Sequence, residues 1–209
     1  MIILFVYIGY LILLINLILF LKGFSKQGKA YKIFAGYLGM IFIIQMLAEL
    51  FYKIDYQNLF TTHLYFIGQL VLLSFFYLSI LKDDYQKKAV KIGLVLGLLA
   101  LAVQYAYNPG LFYKFNLFEI FITSFLLIIY ATFHFYNMLN EKKEFYYINI
   151  GILMYLFGSS ILYLVGNLTA VLSPKMSLIT WTLNAFLYII YQVLILIEWK
   201  KSFYKKGIQ

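Results

Sequence analysis

MIILFVYIGYLILLINLILFLK, residues 1–22, decides the fold: twenty-one residues pass before the first charge, Lys22. Crossing about 30 Å of hydrocarbon takes roughly 20 mostly apolar residues wound as a helix. The stretch has no positive n-region, is too long for the apolar core of a signal peptide, and lacks a small-residue cleavage site. It is expected to be a first membrane helix with its N-terminus on the outer side.

The rest of the chain repeats the pattern. Of its 209 residues, 64% are hydrophobic, 21% aromatic and 12% charged. Soluble domains run at about 45–50% apolar and about 25% charged. Residues 56–81, 92–113, 145–174 and 176–197 contain no charge, 33–52 contain only Glu49, and 115–140 hold Glu119 as their one charge within the apolar run. Seven spans follow, near 2–21, 33–52, 62–81, 91–108, 115–138, 147–167 and 177–198. Asn108-Pro109-Gly110 and Ser173-Pro174 supply turn chemistry between spans. The expected architecture is all-α: one integral membrane domain over 1–209, a seven-transmembrane-helix bundle with the C-terminus cytoplasmic. With no cysteine, disulfide scaffolds, thiolate metal sites and a catalytic thiol are excluded.

Lysine placement sets the orientation. All 17 basic residues are Lys. Seven spans put fourteen on one side: Lys22, Lys26, Lys29 and Lys32; Lys82, Lys87, Lys88 and Lys91; Lys142 and Lys143; Lys200, Lys201, Lys205 and Lys206. Only Lys53, Lys114 and Lys175 fall on the other. Basic residues concentrate on the cytoplasmic side of membrane proteins, so the expected location is the inner (plasma) membrane, multi-pass, with an N-out topology. The net charge of +9 reads as attraction to anionic membrane lipids. No nucleic-acid partner is expected, because there is no Arg to fork phosphates and the Lys are split among short segments. Tyr52, Tyr56, Tyr105, Tyr107, Tyr146, Tyr147, Trp181 and Trp199 lie near span ends, where aromatic rings favour the headgroup zone.

Small residues mark packing faces. Gly93, Gly97 and Ala100 share one face of span four, and Gly151, Gly158 and Gly166 punctuate span six. Polar side chains inside a span should face the bundle interior. Thr180, Asn184, Tyr188 and Gln192 recur every fourth residue and form one stripe on span seven. Span two carries Gln45 and Glu49, span three His63, Tyr65 and Gln69, span four Gln104, span five Glu119 and Thr123, span six Ser159. The topology puts Gln45, Glu49, His63, Gln69, Gln104, Glu119, Ser159, Thr180 and Asn184 in the outer half, with Asn16 and Gln192 nearer the cytoplasm. These nine outer residues are the candidate ligand-binding set.

Glu49 and Glu119 are the sharpest members, since an acid mid-membrane costs roughly 2.5–3.5 kcal/mol on insertion scales. Either they hold the bundle in register or they line a cavity and bind a cation, a proton or an amine. If adjacent, they would share one proton. His63 sits at the same mouth. No metal site is assigned, because no His-x-x-x-His or Glu-x-x-His pair accompanies them. His134, near the inner end of span five, suits an interface better than a ligand site. No cofactor is expected; a retinal Schiff base needs a Lys within the last span, and residues 176–199 contain none.

The run Asn149-Ile150-Gly151-Ile152-Leu153-Met154-Tyr155-Leu156-Phe157-Gly158 resembles the Asn-x-Gly-x-x-x-Tyr-x-x-Gly core of helix six in small, functionally uncharacterised seven-helix membrane proteins of the Bacteroidetes. Glu49 and Glu119 stand where that family has acids late in helix two and early in helix five, and Asn184 resembles its helix-seven Asn. Gln69 departs from the pattern, where an acid is often present. The resemblance implies the same architecture and carries no activity with it.

Three functions fit these features. A sensor or binding protein would take a small-molecule or amphiphilic ligand in a polar, outward-facing cavity and offer its Lys-rich face to a cytoplasmic signalling partner, or act as a homo-oligomer. A small-solute or ion transporter or channel needs a polar path across the membrane or broken helices at mid-depth. An intramembrane lipid-modifying enzyme would use Glu49 or Glu119 as a base beside His63. The first is favoured, because the polar groups crowd one half; no catalytic residue is assigned.

Overall fold

A computed structural model describes residues 2–140 and 143–204, without the side chains of 170–172 and 174. Lys142, Lys205 and Lys206 of the lysine pattern lie outside the described residues. Seven α-helices follow in order: α1 (Ile2–Lys22), α2 (Lys29–Lys53), α3 (Phe60–Ile80), α4 (Asp84–Tyr107), α5 (Leu117–Asn137), α6 (Tyr146–Leu172) and α7 (Pro174–Glu198). A 3-10 turn, Pro109–Tyr113, joins α4 to α5, and a π turn, Trp199–Phe203, extends α7. There is no strand among the described residues. All seven helices are long and apolar enough to cross a membrane. Their outward faces carry large apolar side chains: Ile3 is 67% exposed, Leu96 59% and Phe121 63%. That is the wrong exterior for water and the right one for lipid.

One expected boundary is corrected. The fourth helix begins at Asp84, not near residue 91, so it adds two turns that carry Asp84, Lys87 and Lys88. The reason is a local cap: the Asp83 carboxylate accepts from the Gln86 backbone N–H at 3.0 Å, satisfying one of the orphan donors of the first turn. Asp83→Ala is expected to remove about 1 kcal/mol of stability while Asp83→Asn retains most of it. Denaturant unfolding of the detergent-solubilised chain measures both.

The chain divides into two compact units, residues 28–133 and residues 1–27 with 134–209. In the first, α3 packs against both α2 and α4. Gly68 lets α3 approach Met40 of α2. Gly93 and Gly97 of α4 lie against Tyr130 and Leu126 of α5, as the small-residue face predicts. Phe34, Phe76, Tyr77 and Tyr130 fill this unit's core.

In the second unit α7 packs against α1 and α6. A Cβ on Gly9 would lie 2.9 Å from the Tyr188 ring, and one on Gly151 would lie 2.8 Å from that of Tyr191. Asn16 and Gln192 are fully buried, and the Asn16 amide donates to the Gln192 side-chain oxygen at 3.0 Å and to its carbonyl at 2.8 Å. Glu198, 1% exposed, accepts from the Tyr147 backbone N–H at 2.7 Å, so a carboxylate at the end of α7 caps the start of α6. Phe145, just before α6, has φ 54°, a left-handed conformation that bulky residues rarely adopt. Its buried ring packs on Phe203 at 5.5 Å, which holds it there.

Candidate functional site

In the 28–133 unit, the start of α3, the end of α4 and the start of α5 meet. Short loops joining antiparallel helices bring these ends together. His63, Tyr105 and Glu119 come from the three helices in turn. His63 Nδ1 lies 2.5 Å from Glu119 Oε2, and each side chain is 1% exposed. The Tyr105 hydroxyl donates to Glu119 Oε2 at 2.9 Å and lies 2.8 Å from His63 Nδ1.

Proton counting fixes the arrangement. The single Tyr105 proton goes to the carboxylate, and the phenolic oxygen accepts from the Asn116 amide at 3.3 Å. A bare lone pair on Nδ1 would then face two oxygens with no hydrogen between. One proton therefore lies between Nδ1 and Oε2, which leaves Nε2 as the outward atom of the ring.

A second layer supports the first. The Asn116 and Gln104 amides face each other, with Asn116 donating at 2.8 Å and Gln104 at 3.3 Å. The Asn116 side-chain oxygen also accepts from the Glu119 backbone N–H at 3.3 Å, so Asn116 caps α5 and sets the position of Glu119. Thr123 donates to the Glu119 carbonyl at 2.8 Å. Phe112, on the 3-10 turn, stacks on the His63 ring at 5.3 Å with 29° between planes, and stands edge-on to Tyr105. Phe60 stacks behind Phe112.

Two buried atoms of the pair are left over. His63 Nε2 and Glu119 Oε1 have no hydrogen-bond partner. Oε1 is an acceptor; Nε2 accepts in the neutral ring protonated on Nδ1, and donates in the other tautomer or in the charged ring. With the ring neutral and protonated on Nδ1, the pair presents two acceptors and suits a donor: an amine, a cation or water. No three-residue cluster of metal-ligand type occurs among the described residues.

Of the sequence candidates, His63, Gln104 and Glu119 are brought together here. Gln69 faces elsewhere: its amide donates to Tyr37 at 2.8 Å and to Tyr65 at 3.3 Å. Glu49 pairs with Lys53 one turn along α2 at 3.5 Å, so the two acids have different partners and share no proton. Gln45 is half-buried on the same helix.

Ser159, Thr180 and Asn184 belong to the other unit. The first two turn their hydroxyls to their own helix, Ser159 to the Leu156 carbonyl and Thr180 to the Met176 carbonyl. Asn184 donates to the Tyr163 hydroxyl at 3.4 Å. His134 bonds the Glu144 carbonyl at 2.9 Å through Nε2.

Tyr105, Asn116 and Phe112 were not in the candidate set. Tyr105 reads from sequence as one more interfacial tyrosine. Asn116 had a signal, the Asn-x-x-Glu spacing of a helix start. The chain matches no known family model, and no curated protein or solved structure is significantly similar to it.

Proposed function

We propose that the chain is a multi-pass protein of the inner (plasma) membrane that binds a small amine- or cation-bearing ligand at His63 and Glu119, as a sensor or binding protein. One observation carries this: a bonded, buried imidazole–carboxylate pair with an unpartnered atom on each member. Leaving buried polar atoms without partners is costly, so a ligand or water is needed to complete them. The lysine asymmetry, fourteen against three, supports an N-out orientation. On that orientation the pair lies beneath the outer face, under the Phe112 ring.

The test is a thermal-unfolding titration of the detergent-solubilised full chain with primary alkylamines and, separately, alkyl carboxylates of equal length. Amines are expected to stabilise the chain, by about 2.7 kcal/mol at a hundred times the dissociation constant. Carboxylates should not. Glu119→Gln, which keeps shape and loses charge, should flatten the amine response, while Glu49→Gln should leave it intact. A wild-type chain indifferent to both series has no such site, and its leftover atoms are met by water.

A second reading is transport, favoured by a specific row of groups in the other unit. Asn184 Oδ1 and Asn16 Oδ1 are buried and unpartnered, and the buried Tyr188 and Gln192 side chains in the same row interact with each other. The row follows one face of α7 for about 12 Å. Uptake of the same amines into proteoliposomes, lost in Gln192→Leu, would favour transport over sensing.

A further inference from the structure

A groove of about 260 Å³ runs along the 28–133 unit between α2 and α3, lined by Lys29, Ile33, Gly36, Leu72 and Phe75 among others. It lies at the opposite end of this unit from His63. Gly36 is the informative residue. Glycine inside a helix is about 1 kcal/mol worse than alanine, so it needs a reason. At Gly68, Gly93, Gly97 and Gly151 the reason is close packing, because an added Cβ would press on a neighbouring side chain. At Gly36 an added Cβ would meet nothing within 4 Å. Among the described residues this glycine makes no close packing contact of that kind; it opens the floor of the groove.

Charge says what fills it. Lys29, at one end of the groove, is exposed, and its ammonium has no carboxylate or hydroxyl partner among the described residues. Lys32, Lys82, Lys87, Lys88 and Lys91 belong to the same end of the unit, where α2 and α4 begin and α3 ends. The first turn of α2 has no side-chain cap, which leaves backbone N–H groups beside Lys29. From Lys29 to Gly36, about 10 Å, the groove wall is apolar except for Ser79, whose hydroxyl bonds its own helix. We propose that the groove is a binding site for one anionic phospholipid, with an acyl chain lying over Gly36 against Ile33, Leu72 and Phe75 and the phosphate beside Lys29. A zwitterionic choline headgroup would bring its own cation to the same lysine and gains less. The site depends on the chain being in a bilayer and is independent of the ligand assigned to His63 and Glu119.

Native mass spectrometry of the full chain tests it, with equimolar phosphatidylglycerol and phosphatidylcholine of identical acyl chains. The wild type should retain one phosphatidylglycerol in roughly fivefold preference, the effect of one lysine beside an anionic surface. Lys29→Gln should bring the preference to about one without abolishing binding, and Lys53→Gln, at the far end of α2, should leave it unchanged. Gly36→Phe should fill the groove and remove the retained lipid, Gly36→Leu should remove part of it, and Gly36→Ala should keep it. Equal retention of the two lipids by the wild type, a preference that survives Lys29→Gln, or retention unaffected by both Gly36→Phe and Gly36→Leu would each overturn the site. Lys29→Gln changes only an exposed side chain, so that arm does not depend on how the glycine variants fold.

Discussion

Glu119→Leu is expected to lower the unfolding free energy by about 3–5 kcal/mol, because two buried hydrogen-bonding groups, at about 1–3 kcal/mol each, lose their partner. The carboxylate receives His63 Nδ1 and the Tyr105 hydroxyl on a single oxygen, in a place 1% exposed. Without it, the ring proton and the phenol proton face hydrocarbon. Glu119→Gln keeps an oxygen in reach of both and should lose only about 1–2 kcal/mol, closer to the value of one hydrogen bond to a charged group. The double replacement His63→Leu with Glu119→Leu should be milder than the sum of the two singles, because removing both partners leaves nothing uncompensated. Denaturant unfolding of the four proteins in one detergent gives the coupling. Single-variant losses below about 1 kcal/mol, or strictly additive losses, would mean the pair contributes nothing to holding α3 and α5 together.

Gly151→Leu should be a damaging replacement on α6, destabilising by about 1–3 kcal/mol or more through overpacking. A Cβ at this position would sit 2.8 Å from the ring of Tyr191 and 3.4 Å from the Cβ of Leu194, which cannot swing away. Tyr191 is 1% exposed and stacks on Tyr155 at 5.3 Å with 11° between planes, so it has no room to retreat. Gly166→Ala offers the comparison. There the nearest atoms, on Thr180 and Trp181, are 3.4–3.5 Å away, and the change should be close to neutral. If both glycines tolerate their replacements equally, close approach of α6 to α7 is not what Gly151 provides. The readout is the thermal unfolding midpoint in detergent.

The helices were legible because hydropathy and length alone decide them, and the small-residue faces because their spacing decides which side they share. The start of α4 was not, since Lys87, Lys88 and Lys91 interrupt the apolar run while Asp83 already caps the helix seven residues earlier. His63, Gln104 and Glu119 were selected by being polar inside a span. What sequence could not give was the rotation of each helix about its own axis. His63 and Glu119 are 56 positions apart, and their meeting depends on how α3 and α5 turn toward each other. The same limit hid Gln69, which shares a helix with His63 yet bonds two tyrosines. Ser159 and Thr180 show a further gap: hydroxyls can bond the carbonyl of the preceding turn, so a polar stripe does not say which members are free. Glu198 escaped notice because it ends a span, where an acid looks solvated; in the structure it is buried as the cap of α6.

The pairing of Asn16 with Gln192 spans 176 residues. Ribosomes make roughly 5–20 residues per second, so α1 waits on the order of 10–35 s after its own synthesis before its partner exists. All of α2 to α5 is made during that interval. Until α7 emerges, the amide of Asn16 has neither of its native acceptors. Of the seven helices, α1 is therefore among the last to be seated, and a lipid headgroup, water or the insertion machinery must shelter Asn16, buried within its apolar run, in the meantime.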